Sequence, residues 1–157
     1  MAQRMGANIR FVQAVRAAGL EPVIQNLAKD TRTAIEAASV LGCQLEQIVK
    51  SLVFVCGEEF LLVLTAGSNK VNESKLSKVM GEPVKRASPT QVREATGYAI
   101  GGVPPIGHHK KLKCLFDPLL LGNETVYGAA GTPSSVFAIS SSTLLDLTAG
   151  SIEQFTE

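Results

Sequence analysis

The sequence predicts one α/β or α+β domain, residues 1–157, in which a mixed central β-sheet is flanked by helices. A chain of 157 residues is long enough to enclose a hydrophobic core. Hydrophobic residues make up 45% and charged residues 18% of it, which is typical of a globular protein. Helical and strand-like segments follow one another without a strict βαβ rhythm, and this order favours a mixed sheet.

The N-terminal quarter predicts two helices with a short strand between them. Apolar residues recur at helical spacing over Asn8–Ala18, and Gly19 follows as a stop signal. Pro22–Leu27 is short and partly β-branched, which favours a strand. Residues 33–36, Thr-Ala-Ile-Glu, have the spacing of a capping box, so a second helix is expected from there to Gly42.

Two apolar runs in the middle of the chain predict a β-hairpin. Lys50–Cys56 and Phe60–Thr65 are separated by a Gly-Glu-Glu segment, a loop length typical of hairpins. Both runs are apolar on both faces, so they are expected to lie centrally in a covered sheet. One further helical turn is expected just before them, over Gln44–Ile48.

The next elements have clear end signals. A helix is predicted over Asn72–Met80, with Gly81 after it, and a short strand over Val84–Arg86. Residues 88–91, Ser-Pro-Thr-Gln, combine an N-cap, a proline at the first helical position and a capping-box glutamine. The helix that they begin is expected to end at Gly97.

The C-terminal third predicts three strands and a closing helix. The strands are expected over Lys113–Phe116, Thr125–Ala129 and Ser135–Ile139. Asp117-Pro118 predicts a short turn or helix after the first of these strands. The closing helix is expected over Ser141–Thr148.

Composition and cysteine usage exclude several classes of site. The net charge is +1, so nucleic-acid binding would require a local basic patch. Cys43, Cys56 and Cys114 are widely spaced and form no CxxC pair, so neither a metal site nor a disulfide framework is indicated, and no cofactor is expected. Three free thiols in apolar surroundings fit a reducing cytoplasm, and no stretch resembles a leader or a membrane span.

The strongest candidate for chemistry is Lys50 together with residues 101–107, Gly-Gly-Val-Pro-Pro-Ile-Gly. The paired glycines let the backbone approach a ligand closely, and the paired prolines stiffen the turn that follows. This loop is either a ligand-contacting surface or a tight connection. Lys50 is either a solvated lysine at a strand start or a cation that binds phosphate or polarises a carbonyl. The sequence contains no P-loop, no dinucleotide fingerprint and no GxSxG elbow.

A basic run, His108, His109, Lys110 and Lys111, follows this loop directly. It is either a solvated face or a surface that contacts a phosphate backbone beside the pocket. Two adjacent histidines cannot easily converge on one metal ion, so a metal site is not expected there. The same two interpretations apply to a second basic set: Lys70, Lys75, Lys78, Lys85 and Arg86.

Three segments in this order resemble the YbaK / prolyl-tRNA-synthetase-associated family: residues 48–54 with the hairpin after them, Asn72–Leu76, and Ala99–Pro105. The similarity spans about Thr31–Thr148. It implies the YbaK-type fold and the activity of an aminoacyl-tRNA deacylase, which clears tRNA(Pro) carrying a wrong amino acid such as alanine or cysteine. Aminoacyl-tRNA and a prolyl-tRNA synthetase are the partners that the resemblance implies. Self-association stays open.

The resemblance also implies roles for individual residues. Lys50 is implied as the catalytic residue, which neutralises the terminal phosphate or orients the ester. The implied substrate-binding residues are Ser51, Gly101, Gly102, Val103, Pro104, Pro105, Gly131 and Thr132. Members of this family are thought to use water and the terminal ribose hydroxyl of the substrate, or the substrate thiol in cysteine-specific members, so neither a triad nor a metal is required.

Two departures from the family pattern leave specificity and activity open. Ser51 stands where some alanine-specific relatives have asparagine, which suggests tolerance of a slightly larger acyl group. Ala129 and Ala130 stand near a turn in which several members carry Ser-Gly-Gly or a histidine. Two alternatives therefore remain: a noncatalytic tRNA- or synthetase-binding module of the same fold, and a hydrolase of another small ester or amide.

Overall fold

Eight strands, five α-helices and two short 3₁₀ helices (Leu45–Gln47 and Pro118–Gly122) make up the computed structural model, which describes residues 6–28, 31 and 33–157. The strands are β1 (Ile24–Asn26), β2 (Val49–Cys56), β3 (Glu59–Ala66), β4 (Val84–Arg86), β5 (Lys113–Phe116), β6 (Thr125–Ala129), β7 (Ser135–Ser140) and β8 (Ser151–Ile152). The helices are α1 (Ala7–Ala17), α2 (Ala34–Leu41), α3 (Glu73–Met80), α4 (Pro89–Thr96) and α5 (Ser141–Thr148). Residues 1–5, 29, 30 and 32 of the predicted domain lie outside the described residues.

The strands form two sheets that share a hydrophobic core. The larger sheet is mixed and has the order β4–β2–β3–β5–β8, with β5 and β8 in parallel pairing, and the smaller is antiparallel with the order β1–β7–β6. An isolated parallel bridge between Ile48 and Tyr127 joins them. Because β4 pairs only with residues 54–56 of β2 and Ala87 bonds to Val53, residues 49–52 form an open edge of the larger sheet.

Hydrophobic packing covers both faces of the larger sheet. The main core takes residues from both sheets and from α1, and the Phe11 and Phe137 rings lie 4.7 Å apart there, centroid to centroid. A second cluster on the opposite face includes Phe54, Leu61 and Leu76 of α3. The hairpin therefore lies in a covered sheet, as its two apolar faces predicted.

The predicted mixed α/β class is confirmed, and the predicted helices and strands match the structure to within two residues at each end. The capping box of Ser88 and Gln91 is present, and Gly81 and Gly97 end their helices in the left-handed conformation. The sequence predicted one central sheet and missed both β8 and the second sheet. Among the described residues, every helix is too short or too polar to cross a membrane.

Candidate functional site

A cavity of about 320 Å³ lies where the two sheets diverge. The open edge of β2 forms one side and Gly128 of β6 the other, while Ile48 and Ala37 contribute apolar surface. Its polar lining residues are Thr31, Thr33, Lys50, Ser51, Arg86, Tyr127 and Ser135. Ligand pockets commonly measure about 300–1,000 Å³, so this cavity suits a small ligand. None of the described residues that line it is histidine, cysteine, aspartate or glutamate.

Lys50, the second residue of β2, lines this cavity and is held by the main chain. Its Nζ donates to the backbone carbonyl of Asn69 at 2.5 Å. Burial lowers the pKa of Lys50 below its ordinary value, the charges of Lys70 and Arg86 lower it further, and Asp117 opposes them. Lys50 is thus a partly buried cation in a fixed position and not a freely solvated lysine.

A buried carboxylate, Asp117, fixes the segment that holds Lys50. Asp117 is 2% exposed and accepts four hydrogen bonds, which offset the cost of burying its charge. The donors are the Thr65 hydroxyl (3.0 Å), the Ala66 amide (3.0 Å), the Asn69 side-chain amide (2.9 Å) and the Leu119 amide (2.9 Å). Sequence analysis missed Asp117 and Asn69, because Asp117-Pro118 signalled only the start of a turn.

Positive charge gathers on the Lys50 side of the cavity. Arg86 lines the cavity, and its guanidinium carbon lies 5.6 Å from the centroid of the Phe54 ring. Lys70 is close enough to lower the Lys50 pKa. In the ranges that the structure describes, none of these three cations forms a salt bridge. An anion that approaches this side therefore meets three positive charges.

The two glycines of the loop after α4 occupy different environments. Gly101 lines the cavity with φ +88°, and Val103 lines it as well. Gly102 is buried behind them and does not line the cavity. A Cβ on this residue would lie 2.8 Å from the Gly131 carbonyl oxygen and 2.9 Å from Thr132 Cα. Gly102 thus permits close packing of chain against chain, and its contact with a substrate stays a prediction.

The paired prolines support the cavity from behind and do not line it. Pro104 and Pro105 are both buried. Pro105 packs against Gly128, where an added Cβ would lie 2.8 Å from the proline Cδ. Since Gly128 lines the cavity, Pro105 fixes the position of that side of the site.

Gly131 and Thr132 also lie outside the lining. Gly131 has φ +102°, and a Cβ there would lie 2.7 Å from the Ala7 carbonyl oxygen. The Thr132 hydroxyl lies 2.7 Å from the Ser135 hydroxyl, and Ser135 does line the cavity. Asn8 of α1 donates to Ser135 as well, at 2.8 Å. Thr132 therefore contacts a residue of the cavity lining, whereas Gly131 packs against the start of α1, and the substrate-binding roles of both stay predictions.

The basic run divides into one enclosed residue and three exposed ones. His108 Nε2 lies 2.6 Å from the Pro104 carbonyl oxygen. Burial lowers the His108 pKa, and the contact with Pro104 partly opposes this. His109, Lys110 and Lys111 are exposed. His108 thus contacts the main chain of the loop, whereas the other three residues are exposed to solvent.

The cysteines and acidic residues offer no alternative centre in the described part of the chain. No group of three or more His, Cys, Asp or Glu residues there could hold a metal ion. Cys56 and Cys114 are buried, and burial raises the pKa of Cys114 to about 12. A thiol with so high a pKa is a poor nucleophile at neutral pH.

Fold and site together define a mixed α/β protein with a small, mostly apolar cavity beside a cluster of cations. The sequence profile of the aminoacyl-tRNA editing domain matches residues 28–147. A solved structure described as a candidate trans-editing enzyme for prolyl-tRNA synthetase superposes with a TM-score of 0.93 and 38% identity, over 99% of both chains. The chain belongs to the aminoacyl-tRNA editing domain family.

Two curated relatives extend this comparison. The uncharacterized protein YwhH of Bacillus subtilis (strain 168) is 33% identical over 108 residues, which cover 68% of this chain and 69% of YwhH. The proline–tRNA ligase of Stenotrophomonas maltophilia (strain K279a) is 34% identical over 121 residues, 74% of this chain and 21% of the ligase. The chain is thus similar to about a fifth of that much longer enzyme.

Proposed function

We propose that this protein is a trans-editing deacylase that hydrolyses the ester of mischarged tRNA, namely tRNA(Pro) carrying a small wrong amino acid such as alanine or cysteine. The observation that carries the proposal is that Lys50 and Gly101 line one small cavity beside a cluster of cations. Membership of the editing family supports an aminoacyl-tRNA as substrate, and the synthetase relatives support tRNA(Pro) and a prolyl-tRNA synthetase as partners. A cytoplasmic location follows from this role.

The reaction requires little side-chain chemistry. Water adds to the acyl carbon, the bond from that carbon to the ribose oxygen breaks, and a free amino acid and a tRNA with a free terminal hydroxyl are released. As the family resemblance implies, the neighbouring ribose hydroxyl of the substrate assists the attacking water, and a described lining without carboxylate, imidazole or thiol is consistent with this. The Lys50 ammonium neutralises the terminal phosphate or polarises the ester carbonyl.

Cavity size sets the acyl group that can enter. The lining side chains Ile48, Val53 and Val136 are branched and apolar, so they favour a short apolar acyl side chain. Ala129 also lines the cavity, near a turn in which several family members carry polar residues. This absence of a polar group at Ala129 favours the alternative, a noncatalytic module that binds tRNA.

Lys50→Ala tests the proposal, with Lys78→Ala as the matched control because Lys78 is an exposed lysine of α3 away from the cavity lining. Loss of an electrostatic contact to the reacting ester typically costs about 10²–10³ in rate. We therefore expect at least a hundredfold loss of Ala-tRNA(Pro) and Cys-tRNA(Pro) deacylation in Lys50→Ala and none in Lys78→Ala, with unchanged circular dichroism in both. Equal rates in the two variants would remove Lys50 from the reaction, and tRNA binding without release of any amino acid would support the noncatalytic module.

A further inference from the structure

On the open edge of β2, Ser51 has no ladder partner for its main-chain groups. In an antiparallel strand, the N–H and C=O of one residue point to the same side, and successive residues alternate. The Ile48 carbonyl accepts from Gly67 at 2.7 Å on the β3 side, whereas the Val53 carbonyl accepts from Ala87 at 3.0 Å on the opposite side. Ser51 lies two residues from Val53, so its N–H and C=O point away from β3.

The cavity lies on this side of Ser51. Strand β4 does not reach it, because the pairing of β4 with β2 starts at Phe54, and the bridge to β6 is at Ile48. Among the described residues, neither the β2–β4 pairing nor the bridge to β6 gives Ser51 a ladder partner on this side. The Ser51 Oγ is buried and also lacks a partner. Unpaired polar groups of this kind are costly, so they indicate a site that a polar ligand completes.

We propose that the aminoacyl group of the substrate binds Ser51 as a one-residue antiparallel strand. The α-ammonium group donates to the Ser51 carbonyl, and the ester carbonyl accepts from the Ser51 N–H. A hydrogen-bonded pair in an antiparallel sheet exchanges both of these bonds between two residues, and an esterified amino acid carries the same donor and acceptor. This inference rests on the proposed function and specifies how the free α-amino group and the ester carbonyl of its substrate are recognised.

Two consequences follow from this pairing. The Ser51 N–H points at the oxygen that becomes negative when water adds to the acyl carbon, so it stabilises the transition state. The substrate side chain lies beside the Ser51 side chain, since directly opposed residues in a ladder have Cβ atoms about 4.5–5.5 Å apart. The unpartnered Ser51 hydroxyl is therefore the group that meets the substrate side chain.

Binding of two stable amides of 3′-amino-3′-deoxyadenosine tests the pairing without any catalysis. The alanyl amide keeps the α-amino group and the propionyl amide lacks it. We expect the alanyl amide to bind at least tenfold more tightly and to shift the backbone amide resonance of Ser51 in ¹⁵N-resolved NMR spectra. Equal affinities, a Ser51 resonance that stays in place while that of Gly101 moves, or no binding of either compound would overturn the inference.

Hydrolysis provides the second measurement and separates the two proposals. For each ester, the enhancement is the hydrolysis rate with the protein divided by the spontaneous rate. We expect this enhancement to be at least tenfold smaller for propionyl-tRNA(Pro) than for alanyl-tRNA(Pro). Ser51→Ala should keep the tenfold difference between the two esters, because the main chain makes the contact. Loss of this difference in Ser51→Ala would overturn the inference. If alanyl-tRNA(Pro) is not hydrolysed although the alanyl amide shifts Ser51, the deacylase function fails and the binding mode stands.

Discussion

Lys50 shows how a charged side chain can be fixed without a direct ion pair. Its ammonium bonds to the main chain at Asn69, and the carboxylate of Asp117 acts from behind through the Asn69 side chain. Because the charge of Asp117 is shared among four donors, Lys50 keeps its positive charge available to a ligand. Sequence analysis identified Lys50 from its place before an apolar run, but it could not identify a carbonyl acceptor, since every residue carries one.

The lowered pKa of Lys50 predicts where activity falls at high pH. If the ammonium form is required, kcat/KM declines at a pH below that expected for an ordinary lysine. Removing the nearby positive charge with Lys70→Ala raises the Lys50 pKa, so the decline should move to higher pH, and Lys78→Ala should leave it in place. Single-turnover rates from pH 6 to pH 10, corrected for spontaneous hydrolysis, measure this. A decline that is unmoved in Lys70→Ala contradicts the role of the charged form.

His108 predicts a pH dependence of stability. Burial lowers its pKa in the folded state, so the unfolded chain takes up the proton first as the pH falls. The free energy of unfolding should therefore decrease below about pH 6.5, the ordinary histidine value. Urea unfolding between pH 5 and pH 7.5 should show this slope in the wild type and in His109→Gln, and a weaker slope in His108→Gln. The same slope in all three proteins would show that other groups cause it.

At the scale of the elements, local signals were predictable and pairing between distant segments was not. Ser88 and Gln91 begin α4 through contacts only three residues apart, so the sequence pattern sufficed. The two-residue strand β8 pairs with β5 from more than 30 positions away along the chain and carries no pattern of its own. The open edge at Ser51 exists because β4 pairs with β2 only up to Phe54. The sequence of β4, Val84–Arg86, does not indicate which residues of β2 it pairs with.

Gly102 tests the packing of the cavity loop. A methyl group there meets main-chain atoms of residues 131 and 132, and main-chain atoms shift less easily than the end of a flexible side chain. Overpacking of this kind typically costs about 1–3 kcal/mol, so we expect Gly102→Ala to lower the free energy of unfolding by that amount. Gly122→Ala is the control, because nothing lies within 4 Å of its added Cβ. Urea denaturation compares the two, and equal stabilities would contradict the packing described for Gly102.

For the whole molecule, the separation of the two sheets creates the site. The shared core and one isolated bridge at Ile48 hold the sheets together, and the cavity lies beyond this bridge between β2 and β6. The sequence predicted Lys50 from its place before an apolar run, and it predicted Ser51 through a family resemblance. It did not predict the opposite side, Gly128 and Ala129, because that requires knowing that a second sheet exists. With a net charge of +1, the cations beside the cavity and the exposed basic run remain the proposed contacts to tRNA.

The most direct test of the editing proposal is deacylation of tRNA(Pro) charged in turn with alanine, cysteine, serine, 2-aminobutyrate and proline. We expect release of at least one of the small wrong amino acids well above the spontaneous rate, retention of proline, and loss of the enhancement in Lys50→Ala. If all five esters decay at their spontaneous rates, or if proline is released as fast as the others, the protein does not edit tRNA(Pro).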